Sequence, residues 1–287
     1  MSGSKAPKPG RMAFDLESVN EVLRFVEQYV SMNSSARPTL NEEFDQTATL
    51  LPTRILAEIR VATRSLLTEP KKPVGKFVVV TGLSGAGKET QMTNPSGIDG
   101  VTPLAGWLQE RNYKVSTTRT SFDGVPGGLI AWFLGRPQEK LAPTGSIDRD
   151  LAWVLWSLER AGRSERAAEW LSLDERNVLL AKGWTESNLA YHSVWGVEAS
   201  RILGLERNVL KPDYTLDLDA TVESIKQRKA SSPAFQVWSE EETRSIGESL
   251  RDIPRVYPFG EFHSVDANGP PAGVNERLLD ILGGPFP

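Results

Sequence analysis

The sequence predicts an α/β fold of three layers about a mainly parallel five-stranded sheet, with a helical extension ahead of it. Short runs of strand length recur between residues 77 and 265, and helical segments separate them. A glycine-rich turn ending in lysine follows the first run. Strands that alternate with helices return to the sheet by crossovers, which makes them parallel and the crossovers right-handed.

Taken in order, residues 1–12 read as a disordered leader, because Met1-Ser2-Gly3-Ser4-Lys5-Ala6-Pro7-Lys8-Pro9-Gly10 is polar and proline-bearing. From Asp15, the residues Val19, Val22, Leu23, Phe25, Val26, Tyr29 and Val30 fall at helical spacing, and Ile55, Leu56, Ile59, Val61, Leu66 and Leu67 do so again. Residues 13–73 are expected to form a helical extension that ends in the linker Glu69-Pro70-Lys71-Lys72-Pro73. Its apolar stripes suit packing on a main domain, or a lid or partner surface. The main domain is expected over residues 74–287, with strands at 77–80, 113–117, 177–181, 214–218 and 261–265. The helix after the turn meets Asn94-Pro95-Ser96-Gly97, Asp99-Gly100 and Pro103, so an inserted loop cuts it short before Leu104.

The turn itself is Gly82-Leu83-Ser84-Gly85-Ala86-Gly87-Lys88, leaving the run Phe77-Val78-Val79-Val80. This spacing lets backbone N–H groups curl round a β-phosphate while Lys88 reaches the β and γ oxygens at the positive end of the next helix. It predicts a nucleoside triphosphate site in a P-loop NTPase fold, with Gly82, Ser84, Gly85, Ala86, Gly87, Lys88, Glu89 and Thr90 around ATP. The residue after the lysine is Glu89 rather than the hydroxyl that such loops use for Mg²⁺, and the hydroxyl comes next, as Thr90. Successive helical side chains turn by about 100°, so Glu89 and Thr90 cannot face one phosphate oxygen. Thr90 is the expected Mg²⁺ ligand, and Glu89 is expected to point outward to a cation on the inserted loop.

Composition bounds the alternatives. The 287 residues carry 33 Lys plus Arg against 37 Asp plus Glu, a net charge of −4, and neither sign forms a block. A nucleic-acid polymer or an anionic membrane is not the expected partner. Cysteine is absent, which excludes disulfides, thiolate metal sites and a cysteine nucleophile. With His192 and His263 as the sole histidines, a multi-histidine metal centre is not expected. No apolar stretch is long enough for a bilayer, and a cytoplasmic protein is expected.

Over residues 74–283 these features resemble the thymidylate kinase family of P-loop nucleoside monophosphate kinases. The loop ends Gly87-Lys88-Glu89-Thr90-Gln91, where that family commonly has Gly-Lys-Thr-Thr-Gln. Leu155-Trp156-Ser157-Leu158-Glu159-Arg160-Ala161 is similar to its helix with a base-stacking aromatic and, four residues on, a base-bonding arginine. Ser187-Asn188-Leu189-Ala190-Tyr191 resembles a segment with polar contacts to the same nucleotide, and Lys211-Pro212-Asp213-Tyr214-Thr215 its Pro-Asp-x-Thr strand. The resemblance implies transfer of the γ-phosphoryl of ATP, with Mg²⁺, to a nucleoside monophosphate, most naturally dTMP. It also implies a homodimer, acceptor contacts from Trp156, Arg160, Asn188 and Tyr191, and catalytic cations Lys88, Arg119 and Arg228. Lys229, Arg244 and Arg251 are further lid candidates.

The chain departs from the family at Ser84, where an acidic residue is usual, and at Lys182-Gly183-Trp184, where Asp-Arg and an aromatic are usual. Arg119 lacks the usual following Glu-Pro or Phe-Pro run, so Lys182 and Arg119 are the expected substitutes at the acceptor phosphate. Trp156, among Leu151, Trp153, Val154, Leu155 and Leu158, also reads as core, and Arg160 as part of a charged face. A nucleotide-binding regulatory or structural protein, or a kinase for another small acceptor, stays open beside the dTMP reading.

Overall fold

The computed structural model describes residues 12–32, 37–46, 50–136, 141–228 and 237–287. In chain order the strands are β1 (Met12–Asp15), β2 (Lys76–Gly82), β3 (Lys114–Arg119), β4 (Leu141–Thr144), β5 (Asn177–Lys182), β6 (Tyr214–Asp219) and β7 (Glu261–Asp266). The helices are α1 (Leu16–Ser31), α2 (Leu40–Gln46), α3 (Thr53–Leu67), α4 (Lys88–Thr93), α5 (Leu104–Glu110) and α6 (Gly124–Phe133). They continue as α7 (Arg149–Leu171), α8 (Thr185–Ser193), α9 (Ala199–Leu205), α10 (Val222–Arg228), α11 (Glu240–Val256) and α12 (Pro271–Gly283). Among the described residues no helix is long and apolar enough to cross a membrane.

Contacts divide the chain into two compact units, and neither is contiguous in sequence. The first comprises residues 1–69, 121–162 and 203–208. Its helix α1 buries the expected stripe of Val19, Val22, Leu23, Val26, Tyr29 and Val30. Helix α3 buries Ile55, Leu56, Ile59 and Leu66, whereas Val61 is 63% exposed and Ala62 and Thr63 take the inner face. Val61 lies off the stripe that Ile55, Ile59 and Leu66 define, which corrects its place in the expected pattern. Helix α6 packs on α3, and the Glu58 carboxylate accepts from the Val125 amide at 2.6 Å. Arg207 and Asn208 donate to the carbonyls of Val30 and Leu66, at 3.0 Å each. These bonds tie residues 121–162 and 203–208, expected within the main domain, to the N-terminal helices instead.

A further difference lies in this unit. Met12, expected to end the leader, opens β1, which pairs in parallel with β4 as a second, two-stranded sheet. Residues 1–11, the rest of that leader, lie outside the described residues. Asp15 caps α1 by accepting from the Glu17 amide at 3.3 Å.

The second unit, residues 70–120, 163–202 and 209–287, holds the five-stranded sheet in the order β3-β5-β2-β6-β7, all parallel. Each expected strand is present, and each extends one or two residues past its apolar run because the ladder continues through polar residues at the C-terminal edge. Helices α4, α5 and α12 pack together and against the sheet, as do α8, α10 and α11, giving the helix–sheet–helix layers of a P-loop NTPase. Helix α4 stops after Thr93, where Asn94 takes φ +42 and its side chain bonds the Ile98 amide and the carbonyls of Ile98 and Val101. The expected loop thus has a built C-cap. Gln91, 2% exposed, donates to the Pro271 carbonyl at 2.9 Å and accepts from Asn275 at 3.0 Å, so it fastens α4 to α12.

Candidate active site

Parallel strands end on one edge, and in such sheets ligands bind outside the carboxyl ends. At that edge the turn leaves β2 between β5 and β6. Gly82, Gly85 and Gly87 have φ of +128°, +94° and +99°, a region that side-chain-bearing residues rarely enter. A Cβ on Gly82 would meet the Leu218 carbonyl oxygen at 2.6 Å, and one on Gly85 the Ile225 Cγ2 at 2.7 Å. A Cβ on Gly87, the residue before the first turn of α4, would meet nothing within 4 Å.

Lys88 opens α4 and folds back over the turn, its Nζ donating to the carbonyls of Gly82 at 2.7 Å and Leu83 at 2.8 Å. Burial, followed by the repulsion of Lys182, pushes its ammonium down to about 7, against the opposing pull of Asp217 and Glu186. Asp217 stands beside Thr81 in the sheet register and is 1% exposed, and its Oδ1 has no hydrogen-bond partner among the described residues. Burial first, and then the charge of Asp219, raise it to about 7. Glu186, fully buried, accepts from the Trp184 amide at 2.6 Å and from the Ser187 hydroxyl at 3.2 Å. Neither carboxylate stood out in the sequence. Asp217 lies inside the expected strand 214–218, between Leu216 and Leu218, and an acid at an alternating position of an apolar strand is the available signal.

Glu89 points outward from α4 but not to the inserted loop, which corrects that expectation. Its carboxylate takes Arg119 Nη1 at 3.0 Å and Lys182 Nζ at 2.8 Å, cations from the ends of β3 and β5. Thr90 follows, half-buried, on the next face of the helix. Ser84 and Ala86 lie within the turn, with the Ala86 amide bonded to the Leu83 carbonyl at 3.1 Å.

The expected acceptor residues part company. Tyr191, from α8, lies beneath the turn with its hydroxyl 3.5 Å from the Gly82 carbonyl, bonded by the Ser84 amide and raised in pKa by burial. Its ring meets Trp238 edge-on at 5.1 Å. Asn188 is 2% exposed, inside the same helix. Ser187 ties α8 to β2 through the Thr81 hydroxyl at 3.1 Å. Trp156 and Arg160 belong to the first unit. Trp156 is half-buried and edge-on to Phe133 at 5.8 Å. Arg160 is 2% exposed and ion-paired with Glu206, which also accepts from Ser157 at 2.7 Å. Trp184, at the family's aromatic position, is fully buried against Phe77 and donates to the Leu210 carbonyl at 2.8 Å.

Of the lid candidates, Arg228 donates to the carbonyls of Ala267 at 2.6 Å and Gly269 at 3.0 Å. Arg251 grips Asp219 with two bonds, at 3.0 and 2.9 Å, and Arg244 pairs with Glu223 at 3.0 Å. Lys229 lies outside the described residues. No group of three or more metal-ligating side chains occurs among the described residues.

No protein-family model matches the chain. Among curated proteins, it is 30% identical over 221 residues to a thymidylate kinase of Alkalilimnicola ehrlichii, covering 72% of this chain and 92% of that protein. A probable thymidylate kinase of Thermococcus kodakarensis is 27% identical over 211 residues, 72% of this chain and 96% of its own. A thymidylate kinase of Synechococcus sp. (strain RCC307) is 25% identical over 224 residues, 72% and 95% respectively.

Proposed function

Because the chain belongs to the thymidylate kinase family, we propose that it transfers the γ-phosphoryl of ATP to the 5′-phosphate of a nucleoside monophosphate, with dTMP as the preferred acceptor. The observation that carries the reading is the turn itself, three glycines at positive φ leading into Lys88 at the first residue of α4. Phosphoryl transfer needs positioning and charge neutralisation more than a protein nucleophile, and these residues supply both. The turn amides and Lys88 hold the donor phosphates. Lys88 exchanges its two carbonyl acceptors for phosphate oxygens, and the incoming negative charge favours its protonated form.

Mg²⁺ takes few protein oxygens when phosphates and waters complete its shell, and the Thr90 hydroxyl on the first turn of α4 is the residue that would supply one. When bound, the ion neutralises phosphate charge. Arg119 and Lys182 receive the acceptor phosphate, and Arg228 braces the turn after β7. Trp156 stacks on the acceptor base, with Asn188 and Tyr191 shaping α8 beside the turn. Arg160, committed to Glu206, fixes the Trp156 helix rather than reading the base. A homodimer belongs to the same proposal, and sedimentation measures it.

The test is ADP formation by purified protein with ATP, Mg²⁺ and a panel of nucleoside monophosphates. dTMP is expected to turn over fastest, and faster turnover of CMP or AMP overturns the acceptor assignment. The second reading, a nucleotide-binding regulatory protein, is favoured by Lys182 standing where the family has an aspartate. ATP binding without ADP formation on any monophosphate of the panel would favour it over the kinase reading.

A further inference from the structure

Arg119 and Lys182 are direct partners in the parallel register of β3 and β5, two like charges side by side at the edge where the phosphate turn opens. Like charges directly opposite one another destabilise a sheet unless an anion lies between them. That anion is Glu89, reaching both from the first turn of α4 at 3.0 and 2.8 Å. One carboxylate carries half the charge that two cations can accept, and Lys88 adds a third cation that Lys182 already repels. Both pairs are exposed, with side chains 68%, 31% and 46% accessible for Arg119, Lys182 and Glu89, so solvent screens them and they exchange readily.

We infer that Glu89 is an internal counter-ion that holds Arg119 and Lys182 together as a receptor for a phosphate monoester dianion, and cedes both to the acceptor's phosphate. The inference rests on the kinase reading and deepens it by giving Glu89 a role in setting acceptor affinity at the Arg119–Lys182 pair. The carboxylate sets acceptor affinity by competition: it keeps two strand-end cations in register while the site is empty and leaves them when a dianion arrives. No covalent step is involved.

The experiment compares wild-type protein with Glu89→Gln, Lys182→Met and the double variant. Two readouts are taken: steady-state kinetics with ATP and Mg²⁺, and calorimetric titration of dTMP into protein without ATP. Glu89→Gln is expected to lower the acceptor KM and Kd by about fivefold, the sum of two weak exposed pairs, with the ATP KM unchanged. Lys182→Met is expected to raise both acceptor constants by about tenfold, as loss of a charge-assisted contact does. In the Lys182→Met background the gain from Glu89→Gln is expected to shrink, because one displaced pair is already gone. A gain of undiminished size means that Glu89 only repels phosphate, and overturns the inference. Unchanged or weaker dTMP binding by Glu89→Gln, or loss of turnover at every Mg²⁺ concentration, overturns it too while leaving the kinase reading standing. If no monophosphate yields ADP, the kinase reading fails, and the titrations still decide whether Glu89 competes with a phosphate monoester.

Discussion

The Nζ of Lys88 donates to the Gly82 carbonyl at 2.7 Å, so the lysine that opens α4 bonds back to the turn that precedes it. A second bond, to the Leu83 carbonyl at 2.8 Å, completes the arrangement and holds the side chain over the turn. Replacing Lys88 by Met removes the charge but keeps the stem. ATP-dependent turnover is expected to fall by about 10²-fold or more, with the circular dichroism of the fold unchanged. Near-normal turnover would show that the turn does not hold the donor.

Thr90 and Glu89 follow one another at the start of α4 and face different ways, Glu89 toward Arg119 and Lys182. Thr90→Val is expected to lose most activity at every Mg²⁺ concentration, whereas Glu89→Gly keeps most of it, because Glu89 faces Arg119 and Lys182 rather than the metal. The reverse pattern would make the carboxylate the metal ligand. Magnesium titrations of both variants read the outcome directly.

For Trp156→Ala, the acceptor KM is expected to rise by about tenfold or more, corresponding to ~1–3 kcal/mol of base stacking. Its ring is half-buried and edge-on to Phe133 at 5.8 Å. A drop in melting temperature with unchanged KM would make Trp156 a packing residue only.

Arg160→Met breaks a pair buried at both ends and leaves Glu206 charged within the protein. Loss of one partner of such a pair costs about 3–5 kcal/mol, so urea denaturation is expected to show that loss. Combined Arg160→Met and Glu206→Leu is expected to restore much of it. A change confined to acceptor KM, with stability intact, would return Arg160 to the role of base reader.

Asp217 makes stability depend on pH in a definite sense. Its folded-state value is raised from near 4 to about 7, chiefly by burial, so between those values the native state binds the extra proton. Stability is therefore expected to fall as pH rises from about 4 to about 7, by an amount on the order of a few kcal/mol. Lys88, lowered to about 7, acts oppositely: above that pH the unfolded state binds the extra proton, and stability recovers toward pH 10. Denaturation of Asp217→Asn at pH 5 and pH 7 tests this, since the variant is expected to lose the decline. A wild-type protein with flat stability over that range would refute the placement of a buried acid there.

The sequence by itself determined the sheet, the phosphate turn and the helical stripes of α1 and α3, because each is encoded within a short window. Four apolar residues before Gly82 make a strand of two covered faces, three glycines and a lysine fix a turn, and residues such as Val19, Val22, Val26 and Val30 define one helix face. Asn94 and its prolines likewise announced the end of α4. Only the tertiary structure decided which charges meet. Glu89 finds partners 30 and 93 residues away, and Arg160 a partner 46 residues away, because strands far apart in sequence end side by side and helices fold over them. The pairing of β1 with β4 and the transfer of residues 121–162 and 203–208 to the N-terminal helices have the same cause. Local periodicity tells which face of an element is apolar, but not which other element covers it, and the charge of a side chain names no partner. Arg160 shows the difference: a helix position fixes direction, while burial against Glu206 depends on a distant turn of chain.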